Sequence, residues 1–237
     1  NYTDYLDTIP HLFYYNAFLI LSNGTEAKVG TLGSKYEFFH EWKRLSEQEQ
    51  GSVALETMLR GICKKENFLD LLENFILFDH SGGHTAKILA RNHQYLGVNE
   101  AIKAYEARKL NNGKLGVFWH TQGSGKSYSM VFLAQKIRRK FSGSPTIVIL
   151  TDRDELNTQI SDTFENCGIL GKAKASQFIA SSGDDLIDKL KGNPSFIFTL
   201  IQKFNKSDVE PFYPDHDIVI MSDVAHRSHY GIFADNM

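Results

Sequence analysis

The sequence predicts an α/β fold in which a parallel sheet flanked by helices is preceded by a small β-rich lobe. Three observations carry this. Beyond residue 111, apolar strand-like runs alternate with helical patterns, as βαβ units on a parallel sheet do. Between the apolar run 115–119 and the helical pattern that follows stands a glycine-rich turn ending in Lys126-Ser127. Within the first fifty residues an aromatic-rich run meets Asn23-Gly24 and then a second run, the pattern of a hairpin.

In order along the chain, residues 1–10 form a short entry ended by Pro10, and 12–21 is the first apolar run. Asn23-Gly24 predicts a type I′ turn, with 25–31 as the returning strand. Glu26-Ala27-Lys28 has the spacing of a nuclease metal pair, but alternate residues of a strand also simply share a solvated face, and that explanation is preferred. The polar stretch 46–52 is a candidate linker. Apolar residues at helical spacing, among them Leu55, Leu59, Phe68, Leu71, Leu72 and Phe75, then predict helices over 53–60 and 66–75. His80 and His84 are separated by three residues, yet glycines in a loop explain the spacing better than a metal does. Arg91-Asn92-His93-Gln94 opens a helix to about Lys109, and Asn111-Asn112-Gly113 turns the chain toward the run 115–119, which reads as a buried strand. Beyond it, strands are expected at 146–150, 196–200 and 218–221, and helices at 154–164, capped by Asp152 or Asp154, and at 184–190.

The bulk properties set limits. With 237 residues and 42% hydrophobic content the chain can bury one good core, or one core and a smaller lobe. A net charge of -2 leaves nucleic-acid binding to a local strip and not to bulk electrostatics. Cys63 and Cys167 stand far apart with no Cys-x-x-Cys partner, as free thiols in a reducing, cytoplasmic setting would. No apolar run approaches the ~20 residues a membrane span needs. The chain reads as an excerpt of a longer polypeptide.

The turn 120–127 has the build of a phosphate cradle. Gly123 and Gly125 let backbone N–H groups close around a phosphate, Lys126 would reach the β- and γ-phosphates, and Ser127 would put its hydroxyl on Mg²⁺ at the positive end of a helix. Met130, Leu133, Ala134 and Ile137 give that helix an apolar face. His120 stands where the strict Walker pattern has its first glycine, so the match is to the shorter Thr121-Gln122-Gly123-Ser124-Gly125-Lys126-Ser127 form of helicase-like motors. The plainer alternative is an ordinary glycine turn. About 100 residues later, an apolar run delivers Asp223 at its carboxyl end, where a carboxylate can hold Mg²⁺.

With these residues in view the chain resembles the motor and nuclease subunit of type I restriction enzymes, a superfamily 2 DNA translocase. Residues 118–127 resemble its first motor motif, Leu150-Thr151-Asp152-Arg153 its second, and 223–231 its Asp-Glu-Ala-His box with the Arg-Ser-x-Tyr-Gly tail. Residues 15–18, 22–30, 75–78 and 91–95 are similar to the family too, so the resemblance covers essentially the whole chain.

The resemblance implies that residues 1–50 end a nuclease domain whose catalytic residues lie upstream, that 51–110 lead into the motor, and that 111–237 are a truncated first RecA-like domain. It implies ATP and Mg²⁺ as cofactors, Lys126, Asp223 and His226 in catalysis and coupling, and Gln94 as the reader of adenine's edge. Thr151, Asp152, Arg153, Thr199 and Gln202 would contact the DNA backbone. Double-stranded DNA and the specificity and modification subunits would be the partners, and the fragment alone would not translocate. One departure stands out: Val224 occupies the position of the family's water-orienting Glu. An RNA or DNA helicase of the Asp-Glu-x-His kind, or a nucleotide-binding module impaired in hydrolysis, are the alternatives.

Overall fold

In the computed structural model, which describes residues 2–204 and 216–223, the amino-terminal lobe starts with helix α1 (Tyr2–Thr8) and a 3₁₀ turn, Pro10–Phe13. The first apolar run is therefore helical at its start, because Pro10 presets the turn, and only its end becomes strand β1 (Leu19–Ser22). β1 pairs antiparallel with β2 (Ala27–Gly30), Ser22 opposite Ala27. The hairpin is thus real, but four residues connect it, not the two of a type I′ turn. Asn23 Oδ1 accepts the N–H groups of Thr25 at 3.0 Å and Glu26 at 2.8 Å, and this side-chain turn replaces the tighter backbone one. Ala27 and Val29 are buried while Lys28 lies over the Tyr36 ring, so Glu26 and Lys28 share the outer face.

The polar stretch 46–52 is not an extended linker. Leu45 N–H bonds Glu49 Oε2 at 2.9 Å and Ser52 N–H bonds the Lys43 carbonyl at 2.9 Å, which closes it into a loop. Helices α2 (Leu55–Ile62) and α3 (Lys65–Asn74) follow, then an antiparallel pair, β3 (Ile76–Asp79) and β4 (Ala86–Leu89), around the His80–His84 loop. That loop uses its histidines locally: His80 Nδ1 meets Thr85 Oγ1 at 3.0 Å and His84 Nδ1 meets the Gly82 carbonyl at 3.0 Å. Helix α4 (Asn92–Glu106) is next. Trp42, Phe75, Tyr95 and Phe132 form the aromatic centre of this unit, with ring centroids 4.8–5.6 Å apart.

The run 115–119 forms no strand. Gly116 has φ +116°, outside the extended region, and Val117 and Trp119 are 91% and 79% exposed. Helix α5 (Lys126–Lys140) opens directly after the glycine turn. The chain divides into two compact units, Asn1–Phe132 and Leu133–Met237, at a point within α5.

The second unit holds the parallel sheet. β5 (Thr146–Thr151) is flanked by β6 (Phe196–Leu200) and β7 (Ile218–Asp223), in the order β6-β5-β7. All six residues of β5 are buried, as expected of a central parallel strand covered on both faces. Phe196 and Phe198 meet Phe164 of helix α6 (Asp154–Asn166) on one face. Val148 and Ile197 pack on the other face with Ala180 and with Leu186 of helix α7 (Gly183–Lys191). The α6 N-cap is Arg153 and not Asp152 or Asp154, and its side chain makes no capping bond. α7 is capped by Ser182, whose Oγ accepts the Asp185 N–H at 3.1 Å.

Candidate phosphate and nucleotide site

Local chemistry makes residues 120–127 turn where they do. Gly123 and Gly125 take φ +77° and +86°, conformations that cost residues with a Cβ roughly 1 kcal/mol or more. Gly125 is also where a side chain would collide: a Cβ there would lie 2.9 Å from Gln94 Nε2. Thr121, Gln122 and Gly123 are exposed, and Ser124, Gly125, Lys126 and Ser127 are half-buried at the first turn of α5. Lys126 Nζ rests 3.5 Å from the loop's own His120 carbonyl, and Ser124 Oγ is buried with no hydrogen-bond partner. A lysine on a backbone carbonyl, an unsatisfied hydroxyl and a helix N-terminus form a donor set that suits an anion. The residues present therefore fit the phosphates of a nucleotide.

The first turn of α4 lies against this loop. His93 Nε2 is 3.1 Å from the Ser124 carbonyl, which can only accept, so that nitrogen carries the proton. Gln94 Nε2 donates to the Gly125 carbonyl at 2.9 Å and Gln94 Oε1 accepts the Arg91 N–H at 2.9 Å. The His93 and His120 rings meet edge to face at 4.6 Å, and the Phe118 ring fills the space a Cβ on Gly97 would need. Burial, then the neighbouring His93 and Lys126, push the His120 imidazole down to about 4, so it is neutral at ordinary pH. Gln94, expected at an adenine edge, is only 3% exposed with both ends of its amide engaged by the protein.

Two residues outside the sequence motifs hold the loop's helix. Tyr128 donates a very short hydrogen bond to Asp79 Oδ2, and Asp79 Oδ1 accepts the Ser81 N–H at 2.7 Å. Burial works against the charge on Asp79, but these hydrogen bonds win and its carboxyl titrates below the ordinary range. Nothing in the sequence pairs Tyr128 with a residue 49 positions earlier.

In the second unit, Asp223 ends β7 opposite Thr151 of β5, an acid at the carboxyl edge of a parallel sheet as expected. The proposed DNA edge is brought together only in part. Gln202 Nε2 donates to the Asp152 carbonyl at 3.0 Å, and Arg153 is exposed beside Asp152. Thr151 and Thr199 both have 0% exposure, because each belongs to a ladder position covered on both faces. His226 and Val224 lie outside the described residues.

A glycine turn at a helix N-terminus and an acid at the end of a parallel strand are features of P-loop nucleotide-binding proteins, and the SWI2/SNF2 ATPase family profile matches residues 93–237. The chain belongs to the SWI2/SNF2 ATPase family. It is also similar, at 38% identity over 242 residues covering 96% of it, to the type I restriction enzyme HindI endonuclease subunit of Haemophilus influenzae, of which it spans 23%. A second relative, provisionally named the type I restriction enzyme MjaIXP endonuclease subunit of Methanocaldococcus jannaschii, is 32% identical over 97% of the chain and 24% of its own length. The chain thus spans about a quarter of the length of these curated relatives. No helix among the described residues is long and apolar enough to cross a membrane.

Proposed function

We propose that this chain is the ATP-binding part of the DNA-translocating motor in the endonuclease subunit of a type I restriction enzyme. The observation that carries the reading is the exposed turn at the head of α5, with glycines at positive φ, Lys126 at its end and an unsatisfied hydroxyl on Ser124. Its N–H groups would bind the phosphates of ATP, Lys126 would give up its backbone carbonyl for a phosphate oxygen, and Ser127 with Asp223 would hold Mg²⁺. ATP·Mg²⁺ supplies the phosphoryl group whose transfer to water drives such motors. Exposed Arg153 and Gln202 would touch the phosphate backbone of duplex DNA, which positions a protein without reading sequence. Target choice would fall to partner specificity and modification subunits, in the cytoplasm.

Val224 favours a second reading, a site that binds nucleotide but turns it over slowly, because a branched alkyl group cannot orient or deprotonate water. Steady-state ATP hydrolysis by the full-length protein, with and without duplex DNA, tests both. Rapid DNA-stimulated turnover supports the motor as it stands. Tight ATP binding with negligible turnover supports the second reading, and absence of ATP binding overturns both.

A further inference from the structure

The amino-terminal unit carries a second concave site that shares no residue with the phosphate loop. Where the chain leaves the Pro10–Phe13 turn and passes α3 and β4, it encloses an open cleft of about 560 Å³, within the ~300–1,000 Å³ usual for ligand sites. Tyr14, Tyr15 and Phe18 line it from the entry run, Phe68 and Leu72 from α3 and Lys87 from β4. Phe18 and Phe68 meet edge to face at 5.6 Å and make a firm apolar wall, whereas the Tyr14 and Tyr15 residues are 70% and 98% exposed. Lys87 supplies the polar group. It is half-buried, its Nζ donates to the Asn16 carbonyl at 3.0 Å, and no carboxylate pairs with it among the described residues. Burial alone pulls its ammonium below the ordinary lysine range, with no opposing acid to hold it up. A cation half withdrawn from water and met only by a neutral carbonyl lacks an anionic partner.

We propose that this cleft takes one unpaired nucleotide of single-stranded DNA, with the base stacked on Tyr15 and the phosphate on Lys87. Every base has a π-face, so exposed tyrosines accept any of them, and an ammonium serves a phosphate as a point charge. The cleft is too open to cover most of a free nucleotide, as a small-molecule site does, but it suits one unit of a strand whose neighbours bind alongside. A base inside a duplex is stacked on its neighbours and cannot enter. The site goes beyond the motor described above, and only the choice of DNA rests on that proposed function.

Anisotropy of a labelled oligothymidylate with the full-length protein tests this across a range of salt concentrations. Tyr15→Ala, at a side chain whose exposure leaves the fold intact, should weaken binding roughly 5- to 100-fold. Lys87→Gln keeps an N–H donor and removes the charge, so it should flatten the slope of log affinity against log salt by about 0.7, the share of one phosphate on a single strand. Duplex DNA of the same length should bind all three proteins alike. Unchanged single-strand affinity in Tyr15→Ala, an unchanged slope in Lys87→Gln, or an equal loss on duplex DNA would overturn the proposal. So would a loss seen only with oligouridylate, which would make the partner RNA, or competition by thymidine monophosphate at the strand's own nucleotide concentration, which would make it a free nucleotide. Absence of single-strand binding by the unmutated protein overturns it too. If that protein binds the strand in the expected way but binds no ATP, the motor reading falls and the cleft stands.

Discussion

At the scale of single residues, His40 shows how burial sets charge. Burial, then the nearby Arg91 guanidinium, push its imidazole from 6.5 down to about 4, against the opposing pull of the backbone at Glu41 and Leu89. The unfolded chain binds that proton more readily than the folded one, so His40 leaves stability intact above pH 6.5 and erodes it as pH falls from 6.5 toward 4. In thermal melts across that window His40→Phe should therefore lose less stability than the unmutated protein, by up to about 1.4 kcal/mol for each pH unit. Parallel curves for the two proteins would contradict this. The places of Lys126 and Ser127 at the head of a helix and of Asp223 at the end of a strand could be read from the sequence, because each sits in a local glycine or apolar pattern. The burial of Thr151 and Thr199 could not be read that way, since being covered on both faces depends on helices far along the chain. Nor could the engagement of Gln94, whose partner Gly125 is 31 residues away.

At the scale of elements, the helices were legible from periodicity to within a few residues, and so was the parallel sheet, because a fully buried central strand is a continuous apolar run. Residues 115–119 read the same way and failed. An apolar run records the capacity to be buried, and here Gly116 breaks the extended path while Phe118 turns inward onto Gly97. The antiparallel pair β3–β4 escaped the sequence reading because its strands are only four residues each and, unlike β1–β2, no Asn-Gly pair joins them. That pair matters to the site, since Asp79 at the end of β3 receives the Tyr128 hydroxyl from the first turn of α5. Tyr128→Phe leaves a nearly buried carboxylate oxygen without this donor and should cost about 1–3 kcal/mol in chemical denaturation. A variant as stable as the parent would show that solvent satisfies Asp79 and that the tie contributes nothing.

At the scale of the whole molecule, the glycine turn at the head of α5 belongs to the first compact unit and Asp223 to the second. Binding and turnover are therefore separable. In the proposed site the loop and Lys126 would supply phosphate affinity, whereas hydrolysis also needs a group that positions water, and Val224 is not one. In the full-length protein Val224→Glu should raise ATP turnover by roughly 10²–10⁴-fold with little change in nucleotide affinity, and His226 should affect rate only in that background. If the Val224 form already matches the Val224→Glu variant under DNA stimulation, another residue activates water. The central claim, that the turn at the head of α5 is a nucleotide-phosphate site, is tested most directly by calorimetric titration of ATP·Mg²⁺ into the full-length protein and its Lys126→Ala variant. The account predicts that losing the ammonium removes about 1.5–3 kcal/mol of binding, roughly a 10- to 150-fold weaker affinity. Equal affinity in the two proteins would contradict it.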